Sequence, residues 1–237
     1  MTDPFAIWVY LSASPLLWLT LTLVVWLASD AVARAAGRHP LVNPVLLSIA
    51  LMSAILVFTG APYKTYFEGA QFVHFLLGPA TVAIAVPLVR HRTLVRANVL
   101  PMAAALVAGA ITAAVSAVAI ASAFGVPRQV LVSLAPKSVT AGIAMAVSEN
   151  LGGVPALTAV LVITTGVIGA IVVTPLMNAL GIKDYAARGF AVGLASHGIG
   201  TARAFAVDEV AGTFAGIAMG LNGIATSLFV PLIMRWM

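Results

Sequence analysis

Apolar residues run through this chain in blocks of about twenty, too continuous for the one-sided stripe of a soluble surface helix. After an N-terminal block over 1–36, further blocks cover roughly 42–60, 72–89, 98–124, 129–147, 154–180, 188–206 and 210–236, separated by short loops of Pro, Gly and charge. A helical crossing takes about 20 apolar residues, so the pattern predicts an all-α polytopic membrane protein, a single transmembrane domain over 1–237 with seven or eight hydrophobic segments. The first block, MTDPFAIWVYLSASPLLWLTLTLVVWLASD, has neither a basic leader nor a small-residue cleavage site and reads as a retained helix.

Three blocks are interrupted near their centres: at Gly78-Pro79, at Ala135-Pro136-Lys137 and at Ser196-His197-Gly198. Backbone that leaves the helix at membrane depth is tolerated only where protein or a wet cavity surrounds it. The breaks therefore predict an internal cavity.

Composition sharpens this picture. With 62% hydrophobic and 8% charged residues and a mean hydropathy of +1.10, a soluble globular domain is excluded. The chain has no cysteine, which removes disulfides and thiolate metal sites. The net charge of +5 comes from residues at segment ends rather than in a patch, so it predicts positive-inside loops and no nucleic-acid partner.

Those loops orient the chain. Arg34, Arg38 and His39 close the first helix on the cytoplasmic side, the N-terminus starting outside, and Arg90, Arg92 and Arg96 are cytoplasmic too. Eight crossings would then invert the charge bias of the second half. Reading 127–150 as a broken or re-entrant segment that turns at Pro136 leaves seven crossings, with Lys183, Arg188 and Arg235 inside and Asp208 and Glu209 outside. Trp8, Tyr10, Trp18 and Trp26 are expected at the interfaces. NPVLLSIALM, LGPATVAIAVPL and PMAAALVAGA are echoed about 115 residues later by VPALTAVLVI, LASHGIGTARAF and GTFAGIAMGL. This predicts an inverted repeat of 42–124 on 154–236, the arrangement that brings broken helices to the midplane.

The chemistry concentrates at the breaks. In LVSLAPKSVTAGIAMAV, Pro136 interrupts the helix, Ser138 is suited to cap the half-helix that follows, Thr140 adds a hydroxyl and Lys137 a charge that is costly at the bilayer centre without a counter-charge. Such a half-helix start seats an anion; the plainer alternative is that Lys137 pairs with Glu149. In ARGFAVGLASHGIGTARAF, Ser196, His197, Gly198, Gly200, Thr201 and Arg203 fall within eight positions. Thr201 shares a face with His197 if the second half is helical, Arg203 offers a fork for a carboxylate, and His197 is assigned proton coupling because imidazole ordinarily titrates near pH 6.5. The alternative for His197 is a core histidine held by hydrogen bonds. Pro79 and Thr81 give the third break a helix start and a hydroxyl. Lys64 and Glu68 are spaced as a helical ion pair, and Gly212, Gly216 and Gly220 form a small-residue track for helix packing. No nucleophile elbow, zinc-protease motif, P-loop or carboxylate pair is present, so neither an enzyme nor a cofactor or metal is expected.

LLGPATVAIAVPL, SLAPKSVTAGIAMAVSENLGGVPALTAVLVITTGVIGA and ARGFAVGLASHGIGTARAF resemble the LrgB/CidB family, which includes the C-terminal half of the plastidial glycolate/glycerate translocator. The resemblance spans roughly residues 40–235; Ala141-Gly142 replaces the family's common Thr-Pro after PKSVT. It implies a multi-pass protein of the plasma (inner) membrane that carries a small monocarboxylate of the glycolate, glycerate, pyruvate or lactate class, with H+ or Na+ as coupling ion. Its competing implication is a holin- or antiholin-like regulator of murein hydrolase export and lysis. A small LrgA/CidA-like membrane partner and a homodimer are further implications.

Overall fold

Helix starts in this chain are set by proline, whose missing N–H costs nothing in the first turn. Pro15 opens α1 (Pro15–Ala35) and Pro44 opens α2 (Pro44–Thr59), where the Asn43 side chain also accepts from the Val45 and Leu46 N–H groups. Gly60, at φ 66°, ends α2 in a left-handed turn, and α3 (Tyr63–Phe75) and α4 (Leu77–Ala83) follow. The computed structural model describes residues 14–83 and 85–236, and the chain divides into two units, 1–83 and 84–237.

In the first unit Trp18, Val25 and Met52 form the core, with Tyr66 edge-on to Trp18 at 6.0 Å between ring centroids. A side chain at Gly69 would lie 2.2 Å from the Pro15 carbonyl, so α3 approaches α1 closely only because that residue is glycine. Trp18, expected as an interfacial anchor, is fully buried; Trp26 is exposed, and Trp8 and Tyr10 lie outside the described residues. Lys64 and Glu68 share α3 but form no ion pair with each other. The third break is also displaced. The helix begins at Tyr63 and is interrupted at Leu76, while Gly78 and Pro79 lie inside α4, because proline is accommodated in a first turn.

The second unit opens with α5 (Ala85–Arg90) and α6 (Arg92–Ala97), followed by α7 (Val99–Ala123), α8 (Arg128–Leu134), α9 (Ala141–Asn150), α10 (Pro155–Ala179), α11 (Tyr185–Phe205) and α12 (Glu209–Trp236). Helices α1, α7, α10 and α12 are long and apolar enough to cross a bilayer. The chain is an integral, multi-pass membrane protein.

Two segments of this unit are helical hairpins. Between α8 and α9 the backbone reverses over Ala135–Thr140, and the arms come back together: the Ser133 and Ser148 hydroxyls both crowd the place a Gly153 side chain would occupy. Val147 and Leu151 pack against the apolar cluster to which Leu131, Val132 and Ala135 belong. Within α11 the reversal takes a single residue, His197, at φ 41° and ψ −133°. A side chain at Gly200 would lie 2.7 Å from the Val192 carbonyl, a contact that a straight helix excludes for residues eight apart.

Helix α12 carries both hairpins. Gly189 and Gly193 of the first α11 arm lie so close to Ala211 and Ala215 that a Cβ at either would sit 2.0 or 2.1 Å from a carbonyl oxygen. At its start Glu209 meets Arg90 at 3.5 Å and His91 at 3.8 Å; near its end the Met234 carbonyl accepts from the Arg128 guanidinium at 2.9 Å. The base of the α11 hairpin thus lies at one end of α12 and the base of the α8–α9 hairpin at the other.

This geometry corrects the orientation expected for the last third of the chain. Because α11 doubles back at His197, residues 188–206 make no crossing, and Glu209 returns to the end that holds Arg90. Asp208 and Glu209 therefore lie on the Arg90 side rather than opposite it, and Arg235 takes the other side.

Candidate functional site

The tips of the two hairpins meet at the middle of α12. Asn222, completely buried, donates from one amide nitrogen to the Ser138 carbonyl at 3.1 Å and to the Leu194 carbonyl at 2.9 Å, while its oxygen accepts from Thr226 at 3.3 Å. Leu194 lies in the last turn of the first α11 arm, where the carbonyls of a helix lack intrahelical donors. One side chain thereby ties both reversals together and quenches their carbonyl ends.

Val162 on α10 makes the second link. Its side chain packs with Val139 and Ala144 of the first hairpin, and its carbonyl lies 3.0 Å from His197 Nε2. A ring nitrogen facing a carbonyl must donate, so Nε2 carries a proton and Nδ1 is the nitrogen free to gain or lose one. Gly166 and Gly169 make the seat: a side chain at Gly166 would lie 2.7 Å from His197 Cε1, and one at Gly169 would overlap the Ser196 hydroxyl.

The residues singled out in the sequence divide among three places. Pro136, Ser138, Ser196, His197 and Thr201 are buried at the tips, Lys137 and Thr140 half-buried beside them. Lys137 Nζ lies 3.4 Å from the Ser138 hydroxyl and makes no pair with Glu149, which is exposed at the far end of α9. Thr201 shares the His197 face as its spacing requires, donating to the His197 carbonyl at 2.8 Å. The N-cap of α9 is Thr140 rather than Ser138, because the reversal takes two residues more than expected; its side chain makes no capping bond. A side chain at Gly142 would meet nothing within 4 Å, and one at Gly198 only the Met219 sulfur at 3.9 Å.

Arg203 stands elsewhere, six residues beyond the tip, in a cleft with Arg188 and Tyr185. Thr81 belongs to α4 of the first unit, whereas the site described here is built within the second. The glycine track is not a continuous seam: Gly212 lies under the Phe205 ring and Gly216 is buried, but Gly220 is exposed. The close α11–α12 packing runs through Gly189 and Gly193 instead.

Asn222, Val162, Gly166 and Gly169 escaped the sequence reading. A signal for the pairing was present: aligning Arg128–Glu149 with Arg188–Glu209, sixty residues on, matches Arg128, Val132, Leu134, Ala135, Ala144, Ala146, Val147 and Glu149 with identical residues. The hairpins are thus alike in sequence, enter from opposite ends of α12, and place Lys137 and His197 at equivalent tip positions. That spacing is shorter than the roughly 115 residues suggested by the apolar blocks.

The sequence profile of the LrgB-like family matches residues 22–236. The chain belongs to the LrgB-like family. It is similar to the holin-like protein CidB of Staphylococcus epidermidis, at 31% identity over 224 residues, 94% of this chain and 96% of that one. Bacillus subtilis YwbG is 34% identical over 221 residues, 92% and 97% of the two chains, and the Staphylococcus aureus holin-like protein CidB 32% over 196, 82% and 85%. No solved structure matches the chain significantly. For an LrgB-like protein, the matched region takes in both hairpins and the whole of α12.

Proposed function

We propose that this LrgB-like protein is a secondary carrier of small monocarboxylate anions that works by alternating access around the two hairpin tips. The observation that carries the reading is the meeting of two oppositely inserted hairpins at Asn222, with Lys137 beside them. Every acidic side chain described in the second unit, Glu149, Asp184, Asp208 and Glu209, sits at a hairpin base and none at a tip. Asn222 occupies the carbonyl ends of the reversals, leaving the helix starts at Ala141 and Gly198 and the Lys137 ammonium as the positive groups that favour an anion. Ser138, Thr140, Ser196 and Thr201 supply hydroxyls for its remaining oxygens, and His197, through Nδ1, a coupling proton.

Reconstituted in liposomes, the protein is expected to show saturable counterflow with glycolate, glycerate, pyruvate or lactate. Lys137→Ala should lower the initial rate at least about tenfold, the scale of one lost charge-assisted contact, without changing insertion. His197→Gln keeps a donor to Val162 but cannot titrate near neutrality; it should retain exchange and lose acceleration by an inward proton gradient. Exchange that still responds to the gradient would move proton coupling to another group.

The holin-like names of the staphylococcal relatives favour a second reading, a holin-like pore or regulator of murein hydrolase export, assembled as a dimer or with an LrgA/CidA-like small membrane protein. Exposed Gly220 suits such helix association. A pore would pass unrelated solutes of similar size without saturation, which the same liposomes decide.

A further inference from the structure

A groove runs along the second unit between α7 and the first arm of α11. Small residues wall it, Ala105 and Gly109 on one helix and Ala187 and Ala191 on the other, over a floor of buried Met102, Phe190 and Phe214. Ala105 and Ala187 are exposed, so the groove is open along its length. Asn98 and Asp184 stand at one end. Leu194 closes the other: a side chain at Gly109 would lie 2.8 Å from Leu194 Cδ2.

Asn98 to Gly109 is about 16 Å of helix at about 1.5 Å per residue, and Asp184 to Leu194 about 15 Å. Both match the depth of one leaflet, half of a hydrocarbon core of about 30 Å. The groove is therefore polar at a membrane surface and closed near the midplane. Its volume is about 390 Å³. A helix about 10–12 Å across rests on such a rim without entering it, whereas a single hydrocarbon chain, narrow and ending inside one leaflet, fits both the width and the dead end.

The polar end carries a basic excess. Val95 packs on the cluster that forms the floor, Arg96 follows it with Arg92 a turn earlier, and Lys183 adjoins Asp184. All three cations are exposed and make no ion pair among the described residues. Asp184 is committed to capping α11, accepting from the Ala187 N–H at 2.7 Å, and Arg90 and Glu209 at the same end offset each other. Basic clusters of this kind beside transmembrane helices attract anionic head groups. A zwitterionic head gains less, because its own ammonium offsets the phosphate.

We propose that this groove holds one acyl chain of an anionic phospholipid, with the phosphate at Arg96 and Lys183 on the Arg90–Glu209 side. The chain would back the α11 arm up to Leu194, whose carbonyl Asn222 holds. The site depends on neither the carrier nor the pore reading.

Photocross-linking of the full-length protein in phosphatidylcholine nanodiscs tests it. A trace of phosphatidylglycerol, or of phosphatidylcholine, carries a diazirine at the end of one chain, and the cross-linked residues are mapped by mass spectrometry. Phosphatidylglycerol is expected to mark the groove between Ala105 and Gly109 and between Ala187 and Leu194 at least about tenfold more than phosphatidylcholine does, while both lipids mark the exposed Val160 and Ile168 of α10 equally. Arg96→Gln and Lys183→Gln should each lower the groove yield about fivefold, the scale of one basic side chain at a membrane surface. Ala105→Leu, which fills an exposed wall, should abolish it. Equal groove yields from the two lipids overturn the proposal. So does a groove that neither lipid marks above α10, the result expected if a second copy or another protein segment covers it. Both outcomes are read on the wild-type chain, so they stand even if a variant fails to fold.

Discussion

Asn222→Leu is expected to release both hairpin tips and abolish counterflow. Leucine has the same branched skeleton of four side-chain heavy atoms, though its methyl groups are bulkier, and it donates nothing, so the Ser138 and Leu194 carbonyls lose the amide they share. A buried acceptor left without a donor costs about 1–3 kcal/mol, and two such losses at one contact are large beside the few kcal/mol that separate conformers of a carrier. Asn222→Asp should be worse, because an ionised carboxylate would face two carbonyl oxygens and repel both. The absence of native cysteine gives a readout that does not depend on transport. A cysteine replacing Ser138, buried at the tip, should react with a maleimide at least about tenfold faster in the Asn222→Leu background. An unchanged labelling rate would show that the tips are held by packing alone and that the amide is incidental.

The chain advertises its membrane character and its two reversals more clearly than the way they fit together. Pro136 and the Ser196–Gly198 stretch mark their breaks because each disrupts helical backbone within an apolar block, a local property that survives any tertiary context. Whether a broken helix continues or doubles back is not local. At His197 it is decided by Gly200 meeting Val192 and by Gly166 and Gly169 making room on a different helix. Asn222 is equally silent in the linear sequence, one polar residue in an apolar helix with nothing nearby to say that both its acceptors lie on other segments. Charge counting took the loop at Arg90–Arg96 as its reference side and misplaced Asp208 and Glu209 relative to it, because it treated 188–206 as one crossing. The likeness between the hairpins, with Arg128 and Arg188 at their bases, Glu149 at the end of one second arm and Glu209 just past the other, carries that information at a distance of sixty residues.

Symmetry of this kind bears on mechanism. Two related hairpins inserted from opposite sides give a site with two equivalent approaches, and exchanging the conformations of the two halves converts access from one side into access from the other. The two hairpins are held differently in this structure. In the first hairpin, Ser133 accepts from the Val154 N–H at 2.8 Å and Ser148 from the Thr158 hydroxyl at 2.8 Å, which locks its arms to the start of α10. The second hairpin instead borders the arginine-lined cleft.

The opposite insertion of the hairpins makes an all-or-none prediction for sidedness. Single cysteines placed at Lys183 and Asp208 flank the α11 hairpin, and a pair at Pro127 and Asn150 flanks the first; each is introduced alone into the cysteine-free chain. With an impermeant maleimide applied from one side of oriented vesicles, both members of a pair should label together, and the two pairs should label from opposite sides. The Arg90–Glu209 contact further requires position 208 to share the side of Arg92. A seventh segment that crossed the membrane would instead put 183 and 208 on opposite sides, at a distance set by at least 20 helical residues, about 30 Å. The twelve residues from Tyr185 to Ser196 span only about 18 Å as helix. That is enough to bring His197 past the middle of a hydrocarbon core of about 30 Å but not across it. Opposite labelling at 183 and 208 would therefore remove the reversal at His197, and with it the site formed by two tips at Asn222.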